Sequence, residues 1–378
     1  MKRKIILLTE IISPYRIPVF NEINQSLTGQ FLVLFLGKTE KRRQWKIYRE
    51  KIDFRYRVLP SILFQNGSSG APYFLNPTIF YELMRYSPEI IITGGYQHPS
   101  YLLAILYARI FKKRIILWCE SNKYDLRLCR PWNEFYKRMF VRSCDGYIAP
   151  GKASSEYLIS LGASAKKIWM APNAVDNAYF IQSCDRYRQN KDSFKQSKGY
   201  PEKLILYVGR LSDQKGIFDL LEAFRIIFAK DPDAGLLLVG SGEQEKQYKD
   251  FCLINNLKNV FFEGFIHQEK LPFYYAIADV FVLPTHSDPW GLVLNEAMAC
   301  GLAVVSSDAA GAAPDLIIQG ENGYVFKKGD IRQIVFCLEN ILGDEQKRTE
   351  MGKMSLEIIK NYSPFKCAQG FIRAIREV

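Results

Sequence analysis

The chain has only three histidines, His98, His267 and His286, and none stands with Cys or acidic residues at metal-ligand spacing. A metal held by the protein is therefore not expected. No two of the eight cysteines have the close spacing of a zinc knuckle or a redox CxxC motif, so reduced thiols are expected throughout. No apolar run approaches the ~20 residues of a membrane span. The apolar start Ile5–Leu8 ends at Thr9 and Glu10, too soon for the core of a secretory signal. These absences argue for a cytoplasmic chain, neither secreted nor embedded.

What is present is an ordinary globular balance, 48% apolar and 24% charged residues, in 378 residues, a length that suits two domains. The net charge of +12 is uneven. Residues 1–172 hold 27 Lys/Arg against 12 Asp/Glu, a surplus of fifteen, whereas the rest carries a small acidic excess. A basic first half suits an anionic partner: a membrane surface, lipid phosphate or nucleic acid. Its densest piece is Lys38–Lys51, KTEKRRQWKIYREK. No nucleic-acid-binding module has its signature here, and nucleic acid is not expected as a partner.

Short apolar runs alternate with helical periodicity. Lys4–Leu8, Phe31–Leu36, Glu89–Thr93, Arg114–Cys119 and Gly146–Ala149 read as buried strands. Polar residues 177–201 interrupt this rhythm, which restarts at Lys203–Val208 and continues through Leu236–Val239, Val260–Phe262, Val280–Leu283, Ala303–Ser306 and Tyr324–Phe326. Repeated strand–helix–strand alternation gives an α/β chain with parallel sheets. The expected division is a first domain over 1–172, a linker over 173–202, a second domain over 203–362, and a final helix over 363–378 crossing back to the first. Ligands of such sheets bind beyond the carboxyl ends of the strands.

The stretch Asp288-Pro-Trp-Gly-Leu-Val-Leu-Asn-Glu296-Ala-Met-Ala-Cys-Gly301 follows a strand and opens a helix near Gly291. Free N–H groups of Leu292 and Val293 at a helix start suit a diphosphate, and Gly291 admits it closely. Asp288 and Glu296 are carboxylates within reach of ligand hydroxyls there. Tyr207-Val-Gly-Arg-Leu-Ser-Asp-Gln-Lys-Gly216 places Arg210 and Lys215 by a second helix start. Two fixed cations there would stabilise negative charge on a leaving diphosphate.

These segments resemble the second-domain signature of glycosyltransferase family 4, the retaining enzymes of GT-B fold. That family carries Glu, seven residues, Glu, then Ala-Met-Ala-x-Gly and an apolar strand. Glu296–Gly301, Leu302–Ser307 and Gly311–Leu316 match, while Asp288 stands where the first Glu is usual. The resemblance is strong over 203–326 and looser over 1–176. It implies two Rossmann-like domains facing each other across a cleft, and transfer of a sugar from a UDP- or GDP-sugar to a glycan or lipid-linked acceptor, as in surface polysaccharide synthesis. It also implies that Arg210 and Lys215 hold the diphosphate, Asp288 the donor sugar and Glu296 the ribose. Gly209, Gly240 (in Val239-Gly-Ser-Gly) and Phe265 match further nucleotide-side positions.

In the first half, Ser13-Pro-Tyr15-Arg16 follows the first strand and Thr93-Gly94-Gly95-Tyr-Gln-His98 another; Tyr15, Arg16, Gly94, Gly95 and His98 are the candidate acceptor residues. Glu120 ends a strand where many relatives have a His nearby, and is the candidate catalytic polar group on this side. Retention needs no dedicated base, because the leaving phosphate oxygen can accept the acceptor's proton; a covalent intermediate is the other route. A basic first half next to a lipid-linked acceptor would place the chain peripherally on the inner membrane face. The competing reading is a non-catalytic protein of the same fold that binds a glycan or assists a partner transferase.

Overall fold

The computed structural model describes residues 4–38, 46–64, 73–124 and 131–378. Residues 39–45 of the basic stretch, with Trp45, and also Cys129 lie outside the described residues. The chain forms two compact units, residues 1–174 with 364–378 and residues 175–363.

The first unit is built on a parallel sheet in the order β3-β2-β1-β6-β7-β8-β9. Its strands are β1 (Ile5–Thr9), β2 (Phe31–Phe35), β3 (Arg55–Val58), β6 (Ile90–Thr93), β7 (Arg114–Trp118), β8 (Gly146–Ala149) and β9 (Ile168–Met170). β4 (Ile62–Phe64) and β5 (Tyr73–Leu75) form a separate antiparallel pair. The central strands are apolar on both faces because both faces are covered. Along β1, Ile6 and Leu8 face one core, shared with helices Ile79–Tyr86, Pro99–Ile110 and Pro131–Arg142. Ile5 and Leu7 face the other, shared with helices Ile17–Leu27 and Pro364–Glu377.

The last helix lies directly on the sheet of the first unit. A Cβ at Gly370 would come within 2.2 Å of the Met170 carbonyl oxygen, so only glycine allows this approach. Phe371 packs edge-on to Trp118 at 5.1 Å, and Trp169 donates to Glu377 at 2.7 Å.

The second unit has a six-stranded sheet in the order β12-β11-β10-β13-β14-β15. These are β10 (Lys203–Val208), β11 (Ala234–Val239), β12 (Val260–Gly264), β13 (Val280–Leu283), β14 (Ala303–Ser307) and β15 (Gly323–Phe326), all paired in parallel.

The polar segment 173–202 is not an open connection from end to end. It forms helices Asn177–Arg188 and Lys191–Lys198, which belong to the second unit from Val175 on. Asp176 caps the first by accepting from the Tyr179 N–H, and Phe180 and Cys184 are buried beneath it. The second is held by ions rather than by an apolar stripe. Lys191 and Lys195 reach the buried Asp279 at 2.7 and 2.6 Å, and Asp279 also accepts from the Leu204 N–H at 2.8 Å. Burial alone would raise the Asp279 carboxyl, but the two ammonium groups outweigh it and hold the carboxyl below its ordinary value.

The expectation of reduced thiols at all cysteines is corrected at one pair. Cys184 and Cys300, 116 residues apart in sequence, are joined as a disulfide with their Cα atoms 5.7 Å apart. Spacing could not reveal it, because the fold alone brings the helix Asn177–Arg188 against the end of the helix Leu292–Ala299. Cys119, Cys144, Cys252, Cys337 and Cys367 are buried and take part in no disulfide.

Candidate functional site

In the second unit the strand order reverses between β10 and β13, so the loops leaving these two neighbours open side by side. The loop after β10 carries Gly209 to Gly216, and the loop after β13 carries Thr285 to Gly291. They are stitched together. The Gln214 carbonyl accepts from the His286 N–H at 2.8 Å and from the Thr285 hydroxyl at 2.9 Å. Gly216 sits at φ +65°, and a Cβ there would meet the Pro284 carbonyl oxygen at 2.0 Å.

This stitching brings together two residues that lie 73 positions apart. Lys215 Nζ stands 2.5 Å from Asp288 Oδ2, with both side chains mostly buried, 21% and 16% exposed. The other carboxylate oxygen of Asp288 accepts from the Trp290 N–H at 3.2 Å, which fixes the turn into the helix Leu292–Ala299. Gly291 stands before that helix at φ +96°. Leu292 and Val293 are its first two residues, and first-turn N–H groups have no acceptor within their own helix. An ammonium, a carboxylate and a helix start thus converge on one spot.

Arg210 is placed differently. It is about half exposed and pairs with Glu243 at 3.0 Å. Gly209 and Gly240 meet back to back, for a Cβ on Gly240 would come within 1.8 Å of the Gly209 carbonyl oxygen. Glu296 is fully buried and accepts from the Tyr275 hydroxyl at 2.7 Å, a partner that no motif points to. Phe265 is 41% exposed after β12, its ring edge-on to His267 at 5.0 Å.

His286, two residues before Asp288, pairs through Nε2 with Asp219 at 2.6 Å. That hydrogen bond raises its pKa above the ordinary value of 6.5, against a smaller opposing effect of burial. The folded chain therefore favours protonated His286, and this contribution is present below 6.5 and fades as pH rises through the raised value. An NMR titration of the ring should give a midpoint above 6.5 that falls in Asp219→Asn.

In the first unit, the loop after β1 and the ends of β6 and β7 hold a second cluster. Arg16 is ion-paired with Glu120, donates to Asn173 Oδ1 at 2.8 Å, and lies 4.5 Å over the Trp118 ring. Tyr15 stands half-buried beside Arg16 in the same short turn, Pro14–Arg16. Gly94 packs on β1, where its N–H donates to the Leu8 carbonyl at 2.8 Å, and Gly95 takes a positive φ of +127°. His98 is buried rather than open: Nδ1 accepts from the Phe74 N–H at 3.1 Å, and Nε2 lies 3.2 Å from Glu10 Oε1. Glu10, Trp118 and Asn173 are the members of these clusters that motif reading did not single out.

Among the described residues no group of three or more His, Cys, Asp or Glu could hold a metal ion, and no helix is long and apolar enough to cross a membrane.

Residues 188–357, all within the second unit, match the family model described as glycosyl transferases group 1. The chain belongs to this family. A sulfoquinovosyl transferase of Arabidopsis thaliana is 30% identical over 305 residues, 76% of this chain and 56% of that protein. The capsular polysaccharide biosynthesis glycosyltransferase CapM of Staphylococcus aureus is 32% identical over 160 residues, 42% of this chain and 41% of its own. This group 1 chain spans about half the length of these curated relatives. Among solved structures, Anabaena HepE in complex with UDP superposes with a TM-score of 0.77 at 18% identity, covering 99% of this chain and 100% of that one. Sucrose-phosphate synthase from Thermosynechococcus elongatus gives 0.74 at 19% identity, with 99% of both chains covered. The fold of this group 1 chain is GT-B: two Rossmann-like α/β domains.

Proposed function

We propose that this group 1 chain is a retaining glycosyltransferase that moves a sugar from a nucleotide-diphosphate sugar, with UDP or GDP as carrier, to a glycan or lipid-linked acceptor. The observation that carries the reading is the Lys215–Asp288 pair, mostly buried, at the start of the helix Leu292–Ala299. In this reading Lys215 and the N–H groups of Leu292 and Val293 hold the diphosphate, with Arg210 as a second, more solvated cation. As the sugar–phosphate bond breaks, negative charge grows on the leaving diphosphate, and fixed positive groups lower that transition state. Asp288 is then positioned between Lys215 and a donor-sugar hydroxyl. Glu296, oriented by Tyr275, is the candidate for the ribose. Gly209, Gly240, Gly291 and Phe265 would form the nucleotide-facing rim.

Tyr15, Arg16, Gly94, Gly95, His98 and Glu120 are the candidate acceptor-side residues in this reading. The leaving phosphate oxygen takes the acceptor's proton, so no side-chain base is required. A lipid-linked acceptor and the basic first half together suit a peripheral place on an anionic membrane face and a step in surface polysaccharide synthesis. The relatives support the class of reaction: one is named a sulfoquinovosyl transferase, another a capsular polysaccharide glycosyltransferase, and HepE was solved with UDP.

Proton NMR of the product tests the stereochemistry. The new glycosidic bond should have the anomeric configuration of the donor; the opposite configuration would remove retention from the account.

A further inference from the structure

Most helices that cover a parallel sheet turn their apolar side inward and leave polar residues outside. On one face of the first unit this pattern fails. Helices Ile79–Tyr86, Pro99–Ile110 and Pro131–Arg142 share one inner core, so their outer sides form one layer. Phe80 of the first meets Tyr107 of the second at 5.5 Å, and Arg109 of the second donates to the Ser143 carbonyl just past the third at 2.6 Å.

The outer side of the middle helix is a stripe of Leu102, Leu106 and Ile110, which are 38%, 51% and 56% exposed. Their spacing of four residues puts them on one line. The flanking helices add Tyr81 and Met84 on one side, and Phe135 and Met139 on the other, all exposed. Single exposed apolar residues are ordinary, but three adjacent helices turning such residues outward make a patch of the kind that marks an interaction surface.

The charges on this layer are of one sign. Arg85, Arg138 and Arg142 on the helices, and Lys112 just past the middle one, are exposed. The two acids that these helices carry are already neutralised: Glu82 pairs with Arg57 at 3.0 Å and Glu134 with Lys137 at 2.6 Å. We propose that this three-helix face docks on an anionic lipid bilayer, with the leucine stripe entering the headgroup boundary and the surrounding Lys and Arg on lipid phosphates. This deepens the membrane part of the function proposed above and rests on it. A second copy of the chain is a poor occupant, because pairing the face with itself would set these cations against one another. A bilayer supplies both an apolar layer and a sheet of negative charge.

The test is sedimentation of the full chain with vesicles of phosphatidylcholine alone, or with about 30% phosphatidylglycerol, alongside titration of the same samples with UDP and with GDP. The wild type should pellet with the anionic vesicles at low salt, not with phosphatidylcholine alone, and should be released by about 0.5 M salt. Leu102→Glu/Leu106→Glu, at exposed positions, should weaken vesicle binding at least tenfold. Lys112→Gln/Arg138→Gln, at exposed positions of this face, should weaken it about thirtyfold. Both variants should melt with the wild type and keep its nucleotide affinity. The proposal is overturned if the wild type ignores anionic vesicles, or if Leu102→Glu/Leu106→Glu still binds them as the wild type does. It is also overturned if that variant instead disperses a dimer of a chain that does not bind vesicles. Vesicle binding without any nucleotide binding would leave the surface standing and remove the transferase reading.

Discussion

Replacing Lys215 by alanine should lower kcat/KM for sugar transfer about a hundred- to a thousandfold. The magnitude follows from where the ammonium sits. Lys215 is mostly buried, fixed at 2.5 Å by Asp288, and stands in a loop stitched to the next strand exit. A preorganised cation of this kind acts at full strength as charge develops on the leaving group, without a rearrangement at the moment of reaction. Arg210→Ala is the useful contrast. Arg210 is half exposed and its partner Glu243 is more exposed still, so water screens much of its charge. Its loss should cost about tenfold, measured in the same assay. Equal losses for the two would mean that burial does not rank these cations.

The second large effect concerns stability. Asp279→Ala should destabilise the second unit by about 3–5 kcal/mol, read as a shift of its denaturant midpoint. Asp279 is 5% exposed, and so is Lys195. Removing the carboxylate would leave the ammonium of Lys195 uncompensated in the interior and the Leu204 N–H without its acceptor. The exposed pair Lys360–Glu357, also at 2.6 Å, should by contrast contribute under about 1 kcal/mol. Since the Asp279 carboxyl is held below its ordinary value of 3.8 in the folded chain, its contribution is present above 3.8 and is lost as pH falls through the lower folded value. Wild type and Asp279→Ala should therefore converge in stability at strongly acidic pH.

Much of this fold was legible in the residues. Strands such as Phe31–Phe35 and Val280–Leu283 are apolar at every position, the mark of a strand covered on both faces. The edge strand β3, Arg-Tyr-Arg-Val, left no such run because it is largely exposed. The polar helices over 177–198 escaped notice because buried ion pairs to Asp279, rather than a broad apolar stripe, hold the second of them. The Cys184–Cys300 pair was invisible for a related reason: no local spacing encodes a contact made between two helices.

The candidate donor site was partly legible. Lys215 and Asp288 could each be named from their motifs, but nothing in either motif says that they touch. That contact depends on β10 and β13 being neighbours at the point where the strand order reverses. Tyr275 beneath Glu296 and Asp219 beneath His286 come from other elements, and only the packing of helices on the sheet assigns them. His98 shows a related limit. Its position after a strand marks it as an acceptor-side candidate but says nothing of its burial against Phe74 and Glu10.

The central claim is a nucleotide-diphosphate site built on Lys215. Calorimetric titration with UDP and with GDP, on the wild type and on Lys215→Ala, tests it most directly. The wild type should bind one of the two nucleotides saturably and Lys215→Ala should not, with both proteins melting alike. Binding of neither nucleotide by the wild type, or equal binding by the folded variant, would contradict it.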